Sequence, residues 1–292
     1  MDFEHIIKMA LLEDLGDGDH TSLATIKKGT EGMARLLVKG NGVLAGIPIA
    51  KEVFRQVDSK LHISVLIEDG RFIETGDVAF TVEGDIHSIL AAERTVLNFI
   101  QRLSGIATET FRMVQEIKGT GATILDTRKT TPGFREMEKY AVRLGGAENH
   151  RMGLYDMIMI KDNHVDFAGG IENAVEAVAV YQERTGKKLK VEIEVRNFEE
   201  MLDAINTGKI DRIMLDNFSV EDVRSAVQVV AGRFETEASG GITLENVRKY
   251  AETGVDYISM GSLTHQIKSL DMSLKAVIKR FYDNASPPKK LT

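Results

Sequence analysis

The sequence predicts an α/β protein in two parts. An N-terminal α+β unit spans residues 1–105, a small α/β barrel of about six strand-helix units spans 106–267, and residues 268–292 return to the first part. Three observations lead there. The 292-residue length exceeds the roughly 150 residues usual for one domain. Element types are mixed up to about residue 105, whereas from about residue 120 short apolar runs alternate with helical patterns. Repeated strand-helix units call for a parallel sheet, and six of them within ~140 residues suggest a barrel smaller than the eight-fold kind.

In order, "EHIIKMALLEDL" reads as a short helix ending in the turn-rich "GDGDHTS". Strand patterns follow at "GMARLLVKG", "LHISVLIED" and "DVAFTVEGD", with the helical "IAKEVFRQV" between the first two. "SILAAERTVLNFIQRLSG" predicts a helix with Ser88 as N-cap and Gly105 as its break; Leu90, Leu97, Ile100 and Leu103 form its apolar face, flanked by a polar stripe of Arg94, Asn98 and Gln101. The barrel strands are "ATILDT", "YDMIMIKD", "KVEIEV", "DRIMLDN", "RFETEAS" and "VDYISM", separated by helical patterns, several of which close on glycine. The tail "NASPPKKLT" is polar and proline-bearing, as frayed ends are.

Composition narrows the function classes. The chain is 43% hydrophobic and 28% charged with net charge -7, which argues against a general nucleic-acid surface or an anionic-membrane binder. It has no cysteine, which removes disulfides, thiolate metal sites and cysteine nucleophiles and fits the cytoplasm. The acidic start "MDFEHIIKMA" is unlike a secretory signal, and no apolar run approaches the roughly 18 residues a bilayer span needs.

Active sites of such barrels gather at the carboxyl ends of the strands. Those ends are chemically sorted: Arg128 and Lys129 with Lys161 first, joined by His150 and Arg151, then the carboxylates Glu194 and Asp216, and last the turns Ser239, Gly240, Gly241 and Gly261, Ser262. The cations suit a ligand with several negative charges, because guanidiniums take planar carboxylates and lysines act as point charges. Glu194 and Asp216 end neighbouring strands and could hold a magnesium ion, which prefers oxygen ligands. The "SGG" turn, followed by Thr243 and a helical pattern, could turn backbone N–H groups and a helix N-terminus toward a phosphate. Arg135, Lys139 and Arg143 instead fit ordinary ion pairs on a solvated helix face.

Other signals carry little. "GNGVLA" at 40–45 satisfies the dinucleotide fingerprint in form only, because Pro48 disturbs the expected helix start and the flanks are not βαβ. The aspartates of "DLGDGDHTS" lack EF-hand spacing and read as turn and cap residues.

Taken together, "ERTVLNFIQRLSGIAT", "DTRKTTPGFR", "EKYAVRLGGAENHRMGLYDMIMIKDNH", "EIEV", "IMLDN", "EASGGI" and "GVDYISMGSLTH" resemble the quinolinate phosphoribosyltransferase family in order and spacing over nearly the whole chain. The resemblance implies an N-terminal α/β sandwich with an irregular α/β barrel. It implies conversion of quinolinate and phosphoribosyl pyrophosphate (PRPP), with Mg2+, into nicotinate mononucleotide, CO2 and pyrophosphate in NAD synthesis. It also implies a homodimer with shared sites, leaving further assembly open.

By motif, Arg128, His150, Arg151 and Lys161 would hold the quinolinate carboxylates, with Lys129 near the reacting centre or the PRPP. Arg94 would enter from the neighbouring subunit. Glu194 and Asp216 would face the ribose hydroxyls and the metal, and Ser239, Gly240, Gly241, Gly261 and Ser262 the 5-phosphate. Ala147 and Gln266 are mild departures from the family pattern. The alternatives are a ModD-like relative associated with molybdenum uptake, which typically lacks the lysine-bearing "KDNH" present at 161–164, and a catalytically silent phosphate-binding barrel.

Overall fold

The computed structural model describes residues 3–277, and the tail at 284–292 lies outside them. Numbered along the chain, the helices are α1 Glu4–Leu15, α2 His20–Thr25, α3 Ile47–Val57, α4 Ile86–Glu116, α5 Arg135–Leu144, α6 Asp162–Ala168, α7 Ile171–Thr185, α8 Phe198–Thr207, α9 Val220–Val230, α10 Val247–Ala251 and α11 Ser262–His265. The strands are β1 Glu31–Val38, β2 Gly42–Val43, β3 His62–Val65, β4 Phe72–Ile73, β5 Val78–Asp85, β6 Thr123–Leu125, β7 Ile158–Ile160, β8 Val191–Val195, β9 Arg212–Asp216, β10 Glu235–Ser239, β11 Tyr257–Ser259 and β12 Met272–Ala276. Among the described residues one compact unit comprises 3–41, 46–101 and 270–277, and the other 42–45 and 102–269. A single cut at residue 105 therefore leaves out the placement of 42–45 and falls inside α4.

The first unit is built on an antiparallel sheet in the order β12-β1-β5-β3. Leu36 and Val38 of β1 stand opposite Leu274 and Met272 of β12, all buried, which is the inward half of a two-residue alternation. The apolar stripe Ile49, Ala50, Val53 and Phe54 of α3 is buried, and the Phe54 and Phe80 rings meet edge-on at 6.0 Å. Pro48 begins this helix rather than disturbing it, since proline's missing N–H is not needed in a first turn; the Asp69 carboxylate accepts the Gly46 and Ile47 N–H groups.

Helix α4 corrects the sequence reading at both ends. Asp85, not Ser88, caps it by accepting the Ser88 N–H at 3.0 Å. Gly105 does not break it: a Cβ there would lie 2.4 Å from the Lys268 carbonyl oxygen, so the glycine serves a close backbone approach inside a continuous helix. Leu97, Ile100 and Leu103 are buried, whereas Leu90 is 37% exposed. Gly42, inside the nucleotide-like "GNGVLA", has a similar reason, since a Cβ would lie 2.2 Å from Thr108 Oγ1, which accepts the Val43 N–H.

The second unit carries six parallel strands in the order β6-β11-β10-β9-β8-β7. No ladder joins β6 to β7 among the described residues; instead Glu148 forms an isolated parallel bridge with Leu125, donating to Ile124 O at 3.0 Å and accepting from Asp126 N at 3.3 Å. This gives the small barrel its irregularity. Helices α7 and α8 end on Gly186 and Gly208 in the left-handed region, while α9 ends on Ala231 at φ 52°, one residue before the glycine.

Candidate active site

Register sets the layers of the barrel interior. Glu192, Arg212 and Glu235 lie side by side on β8, β9 and β10; Glu194, Met214 and Glu237 form the next layer, and Asp216 and Ser239 the one nearest the carboxyl ends. Because side chains alternate, these pairs two residues apart share one face. Acids and a base in a barrel core must neutralise one another, and they do. Arg212 donates to Glu237 at 2.9 Å and pairs with Glu235 at 2.9 Å, with its guanidinium carbon 3.9 Å from the centre of the Tyr257 ring.

Above this network opens a cavity of about 610 Å³. Arg128, Lys129, His150, Arg151, Lys161, Glu194, Asp216, Ser239, Gly240, Gly241, Gly261 and Ser262 all line it, so the structure brings the sequence-selected strand ends around one space. Arg94 does not line it; it is exposed on α4 in the other unit.

The cations arrive in two loops. Arg128 follows β6, and its Nε is buried with no hydrogen-bond partner among the described residues. Arg151 donates to Met157 O at 3.2 Å, and burial together with the Arg128 charge lowers its pKa. Two guanidiniums are thus held close enough for one charge to disfavour the other. The Lys129 stem passes over Gly261, where a Cβ would lie 2.9 Å from Lys129 Cδ, and the Lys129 carbonyl accepts from Thr264 Oγ1 at 2.7 Å.

His150 sits lower. Its Nε2 lies 3.0 Å from Glu192 and 3.4 Å from Glu237, while Nδ1 accepts the Arg151 N–H at 2.7 Å. Both ring nitrogens face protein groups, so in this arrangement His150 has no free ring N–H for a ligand, and the bond Nδ1 accepts from Arg151 is one that only the neutral ring makes. Burial alone would lower its pKa, but the two carboxylates prevail and push it up to about 9. Burial and the Glu237 charge raise Glu192; burial would raise Glu237 too, but His150, Ser259 and the Arg212 charge together lower it. The three groups titrate as one coupled set. It is also the compact set of potential metal ligands among the described residues, and Arg212 pairs with its Glu237 at 2.9 Å.

The oxygen-ligand pair chosen from sequence stands at the mouth. Glu194 accepts from Lys161 at 2.5 Å, and Asp216 has its pKa raised by burial and by the neighbouring Glu194 charge. Two neighbouring carboxylates offer the oxygen ligands a hard cation prefers.

The last turns are shaped by backbone. Gly240 and Gly241 have φ of 93° and 63°, and a Cβ on Gly240 would lie 2.2 Å from Asn217 Oδ1. Asn217, itself at φ 57°, donates its N–H to Ser239 O at 2.9 Å, locking the β9 end to the β10 end. The expected helix N-terminus at Thr243 is absent: α10 starts at Val247, with the Asn246 side chain accepting the Thr243 N–H.

Another expectation is overturned. Lys139 is not on a solvated face; it is 0% exposed, ion-paired with Asp126 and donating to the His150 carbonyl at 3.0 Å. Arg135, half-buried, reaches Thr130 Oγ1, Met152 O and Arg128 O, and only Arg143 is exposed as expected. Asp126, Glu192, Glu237 and Arg212 were also not selected as site residues. The signal for the glutamates was available: "VEIEV" and "ETEAS" place acids two residues apart in strands otherwise apolar enough to be buried.

Comparison with known proteins agrees with this geometry. A curated relative from Nicotiana glauca, "Quinolinate phosphoribosyltransferase [decarboxylating] 1", is 46% identical over 94% of this chain and 82% of its own length. A Bacillus subtilis relative named "Probable nicotinate-nucleotide pyrophosphorylase [carboxylating]" is 42% identical over 95% and 94%. The solved nicotinate-nucleotide pyrophosphorylase from Francisella tularensis superposes with a TM-score of 0.89 at 40% identity, covering 94% and 95%. Residues 19–104 match the family description "Quinolinate phosphoribosyl transferase, N-terminal domain" and residues 106–275 its C-terminal domain, so the chain belongs to the quinolinate phosphoribosyl transferase family.

Proposed function

We propose that this enzyme transfers the phosphoribosyl group of PRPP to quinolinate with decarboxylation, giving nicotinate mononucleotide, CO2 and pyrophosphate for de novo NAD synthesis. The observation that carries the reading is the pair Arg128 and Arg151, close enough for one charge to disfavour the other, with Arg128 Nε buried and unpartnered. A planar dianion relieves both. Arg128, Arg151 and Lys161 hold its carboxylates, and His150 lines the cavity beneath them.

Across the cavity, Ser239, Gly240, Gly241, Gly261 and Ser262 take the 5-phosphate through backbone N–H groups and hydroxyls. Glu194 and Asp216 face the ribose hydroxyls and would hold Mg2+, which when bound neutralises charge on the pyrophosphate group. Lys129, between the two ligand positions, stabilises the anionic oxygens nearest the reacting carbon.

The ribose C1–oxygen bond breaks as pyrophosphate leaves, and the pyridine nitrogen donates its pair to C1. The quaternised ring then accepts the electron pair released when the 2-carboxylate departs as CO2, and a proton takes its place on carbon. None of these steps needs a protein nucleophile.

We infer a homodimer in which Arg94 of one subunit completes its neighbour's site, and a cytoplasmic setting, consistent with a chain without cysteine. No helix among the described residues is long and apolar enough to cross a membrane. The deciding experiment incubates purified protein with quinolinate, PRPP and Mg2+ and follows nicotinate mononucleotide and CO2, with nicotinate as control acceptor. Both products from quinolinate and none from nicotinate are expected; no product while PRPP still binds would overturn the reading.

A further inference from the structure

Helix α5 turns three of its charged residues, Arg135, Glu138 and Lys139, onto protein groups, while Glu136 and Arg143 stay exposed. Arg135, Glu138 and Lys139 stand at i, i+3 and i+4, and so project from one side of the helix. Arg135 donates to the carbonyls of Met152 at 3.0 Å and Arg128 at 3.4 Å, and to Thr130 Oγ1 at 3.0 Å. Glu138, fully buried, accepts the Thr131 N–H at 3.1 Å and pairs with Arg102 at 2.6 Å. Lys139, also fully buried, donates to the His150 carbonyl and pairs with Asp126, whose Oδ1 in turn accepts the His150 N–H at 2.9 Å. The His150 main chain is therefore gripped on both its N–H and its C=O by one buried ion pair. No ligand has to be present for these bonds to form.

We infer that Arg135 and Lys139 are positioning residues: from one face of α5 they set the spacing between the loop carrying Arg128 and the loop carrying His150 and Arg151, and so fix the distance at which the cavity's two guanidiniums stand. Each reaches a loop carbonyl that no strand ladder satisfies, and together they join residues on both sides of the opening between β6 and β7. The cost of burying Lys139 is evident, since burial lowers its pKa and pushes the Asp126 carboxyl up to about 6. A pair whose role was stability alone could be exchanged for apolar side chains without such a cost.

The inference rests on the proposed reaction for one of its three readouts. Lys139→Met, which keeps the stem and loses the ammonium, Asp126→Asn/Lys139→Met, which removes both charges, and Arg135→Gln are compared with the unaltered enzyme. The readouts are KM for quinolinate, thermal midpoint, and amide hydrogen exchange resolved by peptide. Lys139→Met should speed exchange in the 147–152 segment selectively and raise KM by roughly tenfold or more, the factor expected from losing a charge-assisted hydrogen bond. The double variant should regain the thermal midpoint but keep the raised KM, and Arg135→Gln should raise KM with a near-normal midpoint. If the double variant regains both midpoint and KM, or if exchange rises evenly across the chain, the ion pair is merely structural and the inference is overturned. Unaltered enzyme that fails to turn over quinolinate would sink the proposed reaction instead, and the local exchange pattern would then decide the positioning role by itself.

Discussion

The Lys161 ammonium and the Glu194 carboxylate meet at 2.5 Å across the ends of β7 and β8, so a cation assigned to the acceptor is tied to an acid assigned to ribose and metal. The pair is open to solvent on the lysine side, which is 44% exposed, and such pairs are worth little in stability. If Lys161 holds the acceptor as proposed, a bound dianion competes with Glu194 for its charge. Glu194→Gln should remove that competition and lower the quinolinate Kd modestly, while lowering kcat because the ribose and Mg2+ contact is lost. Steady-state kinetics alongside calorimetric binding separate the two effects; a fall in kcat without tighter binding would mean Lys161 does not hold the acceptor.

Arg128→Ala should raise KM for quinolinate sharply, since each charge-assisted hydrogen bond lost is worth about 1.5–3 kcal/mol. Arg128→Lys should recover little, because a point charge does not reproduce a planar fork. Kinetics like those of the unaltered enzyme in either variant would remove Arg128 from the acceptor site.

Gly240→Ala places a methyl group against Asn217 at a backbone angle of 93°. The turn must shift, so KM for PRPP should rise while the quinolinate Kd changes little. Binding isotherms for the two substrates distinguish this from general unfolding, which would weaken both.

The His150 cluster predicts a pH dependence of stability. His150 is pushed by Glu192 and Glu237 from an ordinary 6.5 up to about 9, against the Arg151 N–H bond that a proton on Nδ1 would break, so between these limits the folded chain binds a proton that the unfolded chain releases. Its contribution is fully present below about pH 6.5 and is lost as pH rises through about 9. Urea unfolding between these limits should show falling stability, with a shallower slope in Glu237→Gln, which removes one of the two carboxylates favouring the proton. Equal slopes would contradict the assignment.

If sites are shared between subunits, Arg94→Ala and Lys161→Ala, each inactive alone, should regain partial activity when mixed and allowed to exchange, because some mixed dimers contain one intact site. Fully exchanged mixtures without activity would count against the shared site.

Strand ends were legible because parallel strands buried on both faces stand out as apolar runs, and the first polar residue after each run marks the rim. Arg128, Lys161 and Asp216 were found that way. Lys139 was not, because helical spacing tells which residues share a face but not that a carboxylate in β6 and a carbonyl in a distant loop will meet that face. Gly105 misled for a related reason: in sequence a glycine that ends a helix and one that admits a neighbouring backbone look alike. The short α10 escaped as well, since "TLENVRKY" has helical composition throughout while Asn246 spends its side chain on the turn before it.

The bridge between Leu125 and Glu148 makes a ligand-carrying loop double as a stave of the barrel wall. Inserting one residue there would move His150 and Arg151 out of step with the cavity and unpick the hydrogen bonds to Ile124 and Asp126 in the same event. Length variation should therefore be rare between residues 145 and 151 and common at the opposite rim, where the 186–190 turn carries no such duty. Insertion scanning would trace that contrast as a map of where the barrel can change and where it is frozen.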